Sequence, residues 1–281
     1  MKLSRDSAIT LIVFLGLVIA CTAVGYWLIF RLGSAKPIML AVGVATILTC
    51  LIRRRKLADL GWGWSGWRVQ WISYLLPLLI VFVAYSIIWG AGLGGWYDSG
   101  FVAEKMQDYN LADWNDSSVI AFHLLLTATY SFVLLLPGVL GEEIGWRGFL
   151  VPELAKSMSF TSVALISGLL WSMWHWPLIF MGLYGNDVTP LYYQLFFFTL
   201  FIVSYAVIMT WLRYKSGSLW TAVIFHMSAN VFIQNLFTPL TMQNEQSAWF
   251  VDEFGSVPAL VAFAVAIFFW KKGKTEFSMG D

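Results

Sequence analysis

Four side chains in an otherwise apolar chain have the types and spacing of a hydrolytic centre: Glu142, His175, His226 and Asn230. Glu142 lies in Glu142-Glu143-Ile144-Gly145-Trp146-Arg147-Gly148, and His175 in Trp171-Ser172-Met173-Trp174-His175-Trp176-Pro177. His226 and Asn230 bracket His226-Met227-Ser228-Ala229-Asn230. On a helix, Glu143 and Arg147 share a face in the order that favours an ion pair, while Glu142 stands about 100° round the axis. Arg147 therefore holds and neutralises Glu143, a supporting role. Glu142 has no local cationic partner and is free to act as a base. Trp171 and His175 share a face, as do His226 and Asn230, which present two hydrogen-bonding groups to one point. A carboxylate, two imidazoles and an amide in a dry cavity suit hydrolysis of an amide bond. The carboxylate deprotonates a water, an imidazole orients it, and fixed donors stabilise the tetrahedral oxyanion.

Each motif alone also fits an ordinary structural role. The first could be an ion-pair cluster at a helix end, and the second a packed core histidine among tryptophans. The third could be an interhelical hydrogen bond of the kind that joins membrane helices. The combination is the stronger signal, because ionisable groups at membrane depth are costly unless paired or hydrated. His123 lies 19 residues before Glu142, about 28 Å of helix, so it belongs near the opposite membrane face in a structural role. Two histidines and a carboxylate also resemble a zinc set. The His-Glu-x-x-His arrangement is absent, and no metal or other cofactor is expected.

The elements that must position these groups are membrane helices. Of the 281 residues 59% are hydrophobic and 12% charged, and the mean hydropathy is +0.73. Soluble domains carry about 25% charged residues, so the solvent is partly lipid. A net charge of +1 offers no basic excess for nucleic acid. Eight apolar runs qualify, or nearly so, as spans of about 20 residues: Ala8–Phe30, Pro37–Ile52, Val69–Trp89, Ser117–Leu140, Thr161–Leu183, Leu191–Leu212, Gly217–Phe237 and Ser256–Trp270. With the N-terminus inside, the outer segments hold only Arg31, Lys36 and Lys105 of the 17 Lys and Arg. That bias puts both termini in the cytoplasm. The acidic stretch from Gly90 to Asp116 is expected as a solvated outer loop. Cys21 and Cys50 fall inside apolar runs and act as small hydrophobes. The apolar run continues past Cys21, so the first segment reads as an uncleaved span. Nothing marks an internal repeat or linker, and residues 1–281 are expected to form one integral membrane domain.

The run Glu142–Leu150, the Trp171-to-His175 spacing and the His226-to-Asn230 spacing resemble, in order and span placement, the three motifs of the CPBP family. These are the CAAX prenyl endopeptidases and their bacterial relatives linked to bacteriocin processing and self-immunity, the Abi group. The likeness covers residues 117–237; the front half adds only Leu57-Ala58-Asp59-Leu60-Gly61-Trp62, similar to a segment that many members carry. The resemblance implies a multi-pass, all-α intramembrane endopeptidase without metal, in the cell membrane if the chain is bacterial. It implies Glu142 as the base assisted by His175, His226 and Asn230 as the oxyanion pair, and Glu143 and Arg147 in support. Its substrate would be a membrane-associated peptide or protein, prenylated or not, cut near its C-terminus. The alternative is a non-catalytic immunity or scaffold protein of the same family. One departure is Trp171, where many members have Phe. A transporter would show paired Gly/Pro-interrupted spans, and none is found.

Overall fold

The computed structural model describes residues 4–33 and 36–277. Lys2 of the charge tally and both chain ends lie outside them. Every one of the eight apolar runs is helical, and among the described residues there is no strand, only an isolated bridge between Gly95 and Met242. The chain is a multi-pass, all-α membrane bundle. Helix α1 (Arg5–Leu32) starts at Ser4, whose hydroxyl caps the Ser7 N–H, and stops at Gly33 with φ 63°. Helix α2 (Lys36–Ile52) turns back along it, and α3 (Trp67–Gly90) follows a short 3-10 turn at Leu57–Leu60. The outer helix α4 (Ser99–Asp108) precedes α5 (Asp116–Leu126).

The fourth run is a string of pieces. A π turn at Thr127–Ser131 leads to α6 (Phe132–Leu134) and α7 (Leu136–Glu143). A second π turn at Ile144–Leu150 then leads to α8 (Val151–Ala155). Helices α9 (Phe160–Phe180) and α10 (Leu191–Ser216) follow. Then come α11 (Trp220–Phe232), a third π turn at Ile233–Phe237, α12 (Thr238–Leu240) and α13 (Ser256–Glu276). Among the described residues, six helical stretches are long and apolar enough to cross a membrane. Of the other two runs, α2 has 17 residues and the seventh is divided by its π turn.

Helix α1 packs on α2, α2 on α7, α9 on α10, and α3 on both α11 and α13. The α2–α7 contact is set by small residues, as in other close membrane helix pairs. A Cβ on Gly43 would come within 2.7 Å of the Gly141 carbonyl oxygen, and one on Gly141 within 2.9 Å of the Met39 carbonyl oxygen. The interior is aromatic, with Phe14, Trp146, Trp171, Tyr205 and Phe225 buried, while Ile12, Ile19, Phe30 and Phe196 stand exposed on the outside. Exposed bulky apolar groups match a hydrocarbon solvent.

Three boundaries correct the sequence reading. The fourth run does not end at Leu140. The helical string continues to Ala155, which puts Glu142 about 20 Å of helix from that end. Its reason is packing: α2 and the Leu57–Leu60 turn lie against the π turn and bury it. The acidic outer loop is not wholly solvated, because α4 buries Val102 against Val119 and Leu240. The last helix runs past Trp270 to Glu276, where Lys274 suits the final turn.

Candidate active site

Glu142 lies in the last turn of α7, and its neighbour Glu143 ends that helix and opens onto the second π turn. Arg147, four residues on, donates from one terminal nitrogen to Glu143 Oε1 at 2.9 Å and Oε2 at 3.2 Å. Both side chains are fully buried, and His226 Nδ1–H, from α11, donates to the same Glu143 Oε1 at 2.9 Å. Glu143 thus ties α7 to α11 and spends its charge on Arg147 and His226.

Trp171 organises the other half. Its indole Nε1–H donates to Glu142 Oε2 at 2.9 Å. Its carbonyl accepts from His175 Nδ1–H at 3.0 Å, which in the neutral ring leaves the lone pair on Nε2. The Arg147 guanidinium lies over the Trp171 ring, 4.0 Å from the centroid, and the His226 ring meets it at 5.0 Å. Beside it Trp174 stands edge-on to His175, with ring centroids 4.7 Å apart, and donates to Thr22 of α1 at 2.8 Å. Among the described residues, Glu142 Oε1 has no hydrogen-bond partner.

Glu142, His175, His226 and Asn230 all line one cavity of about 370 Å³. Glu143 and Arg147 stand behind its wall and do not line it. The apolar part of the lining includes Ile29, Ile38, Met39, Leu178 and Ile202, drawn from α1, α2, α9 and α10. His123 lies elsewhere: its Nδ1 accepts from the Tyr109 hydroxyl and its Nε2–H donates to the Asn235 carbonyl, each at 2.7 Å. Among the described residues no three His, Cys, Asp or Glu side chains converge as a metal site would require.

Several lining residues escape the sequence reading. Glu253, in the connection between α12 and α13, is buried. It accepts from Gln234 Nε2 at 2.8 Å and from the Tyr184 hydroxyl. Burial first, and then the charge of Glu142, push its carboxyl up to about 8. Asp252 beside it adopts φ 65°, the left-handed turn that aspartate tolerates better than most side chains, and folds the segment inward. No spacing in the sequence signals that fold, since an Asp-Glu pair in an outer connection looks solvated. Tyr205, on α10, joins the lining, and its buried hydroxyl has no partner among the described residues. Behind the site, Arg213 Nε–H donates to the Arg147 carbonyl at 3.0 Å.

Residues 120–232 match the model of the type II CAAX prenyl endopeptidase Rce1-like family. That segment is similar to this family. It contains all four candidate catalytic residues and both supporting ones. The chain is also 30% identical over 165 residues to the CAAX prenyl protease 2 of Methanococcus maripaludis, an alignment covering 57% of this chain and 53% of the relative. The chain therefore spans about half the length of the curated relative it matches. The family match ends two residues beyond Asn230, so Gln234 and Glu253 lie outside it.

Proposed function

We propose that this chain is an intramembrane endopeptidase of the CAAX type, which hydrolyses a peptide bond in a membrane-associated substrate through water activated by Glu142. The observation that carries the reading is the convergence of Glu142, His175, His226 and Asn230, from three separate helical runs, on one cavity. Glu142 Oε1 takes a proton from water while Trp171 holds Oε2. His175 Nε2 accepts a hydrogen bond from the water's remaining O–H and orients it. The hydroxide adds to the scissile carbonyl carbon, and the oxyanion is met by the Asn230 amide N–H and by His226. His226 donates from Nε2 when doubly protonated, a charge that the Glu143 carboxylate balances. The C–N bond then breaks, and its nitrogen takes the proton from Glu142. The apolar wall from α1, α2 and α10 suits a lipid-modified residue beside the scissile bond, as in a prenylated tail. The charge asymmetry of the loops supports a cytoplasmic position for both termini.

A fluorogenic farnesylated CAAX peptide, offered to the purified protein in detergent, tests this. Wild type cuts it and Glu142→Gln does not, although both fold alike. Undiminished cleavage by the variant would exclude Glu142 as the base. Absence of cleavage by either, across lipidated and unlipidated peptides, would favour a non-catalytic membrane role.

A further inference from the structure

The cavity contains a second carboxylate that the hydrolytic scheme does not use. Glu253 enters from the connection before α13, and its two oxygens are each held by one protein donor, Gln234 and Tyr184. A carboxylate accepts about four hydrogen bonds, so acceptor capacity remains on a group that lines the cavity. Both holding residues adjoin the site. Gln234 follows Asn230 by four residues, and the Tyr184 ring lies 6.1 Å from that of His175.

The charges around the cavity do not balance. Glu142 and Glu253 both line it, yet among the described residues no lysine or arginine does. Arg147, the nearest buried cation to the motif, is committed to Glu143. A low-dielectric cavity with two carboxylates, where the charge of a protonated His226 is already balanced by Glu143, repels an anion and gains from an incoming cation. The Tyr205 hydroxyl adds a second signal. It is buried, has no partner among the described residues, and its side chain belongs to the same lining.

We infer that Glu253, held by Gln234 and Tyr184, forms a subsite for a positively charged group of the substrate, an ammonium or guanidinium beside the bond to be cut. This rests on the peptidase reading and specifies its substrate. The ammonium donates to the free lone pairs of Glu253, and the Tyr205 oxygen is available as a further acceptor. A substrate carrying a free carboxylate at that position is rejected. Glu253 and Gln234 lie outside the matched family segment while Tyr184 and Tyr205 lie inside it, so the charged group of the subsite comes from this chain's own C-terminal quarter.

The test uses membrane-anchored peptides of one sequence in which a single position at a time is lysine, norleucine or glutamate. Their affinities for purified wild type and Glu253→Gln are measured at pH 8.5 by displacement of a fluorescent peptide, and cleavage is followed in parallel by mass spectrometry. At one position, wild type should bind the lysine peptide at least about tenfold more tightly than the norleucine peptide, the worth of one charge-assisted hydrogen bond. The glutamate peptide should bind weakest, and Glu253→Gln should level the three. Tyr184→Phe, which leaves the carboxylate in place with one donor fewer, should keep the order. Equal wild-type affinities at every position, no binding at all, or a lysine preference that survives Glu253→Gln would each overturn the subsite. Lysine preference without cleavage of any peptide would sustain the subsite and count against the peptidase reading alone.

Discussion

Replacing Trp171 with phenylalanine removes one hydrogen-bond donor and leaves most of the residue's other contacts in place. The ring stays over the Arg147 guanidinium, 4.0 Å from its centroid, and beside His226. The backbone carbonyl still accepts from His175 Nδ1–H. What goes is the Nε1–H that holds Glu142 Oε2 at 2.9 Å. A hydrogen bond to a charged group is worth about 1.5–3 kcal/mol. If that bond orients the base only when it works on water, Trp171→Phe should lower kcat by roughly 10- to 150-fold and leave KM nearly unchanged. Phenylalanine is the common residue here in proteins the chain resembles, so the variant should pack and melt close to wild type. Trp171→Ala, which also strips the ring from Arg147 and His226, should lose stability as well as rate. Steady-state cleavage of the fluorogenic peptide, with thermal melts as control, reads all of this. Unaltered kcat in a well-folded Trp171→Phe would refute the orienting role, as would a loss confined to KM.

Three further outcomes follow from the packing and charge of the site. Arg147→Ala strands Glu143 in a site with no solvent exposure; breaking such a pair costs about 3–5 kcal/mol, so detergent melts should drop sharply and the added change Glu143→Gln should recover part of the loss. Gly141→Ala drives a Cβ to within 2.9 Å of the α2 backbone and should destabilise the α2–α7 contact by about 1–3 kcal/mol. Gly16→Ala, which meets nothing within 4 Å, is its silent control. Glu253 binds its proton more tightly folded than unfolded, with a value near 8 against an ordinary 4.5. Between those values the unfolded state carries fewer protons, so the folded state loses stability as pH rises through the window. The melting temperature of Glu253→Gln should fall less than that of wild type from pH 5 to pH 8, and parallel slopes would contradict the buried placement.

The helices were legible because membrane hydropathy is a strong, local signal. All eight apolar runs are helical, and their interiors coincide with α1, α2, α3, the α5–α7 string, α9, α10, α11 and α13. The Glu143–Arg147 pairing was legible for the same reason, since four-residue spacing on a helix is local geometry. The Glu143–His226 bond was not, because it joins residues 83 positions apart and depends on how α7 meets α11. Trp171 was visible as an aromatic residue four before His175, but its use as a donor depends on where its indole edge points. Glu253 was hidden altogether: only the left-handed turn at Asp252 brings an outer acidic pair inward.

The π turns explain two residues that the chemistry leaves over. Such turns gather at functional sites, where the extra residue re-aims side chains. Here one follows directly on Glu142 and Glu143, and another begins three residues after Asn230. Widening a helix loosens its regular backbone bonding, and lipid offers no replacement partner. The chain supplies partners from elsewhere. Arg213 donates to the Arg147 carbonyl inside one π turn, and His123 donates to the Asn235 carbonyl inside the other. Both π turns are largely buried in protein, where irregular backbone is tolerated at membrane depth. His123 therefore serves the site from outside the cavity, by holding open the turn that follows Asn230. Arg213 does the same for the turn that carries Arg147. Two cationic or polar side chains remote in sequence thus stabilise the backbone irregularities that let α7 and α11 face one cavity.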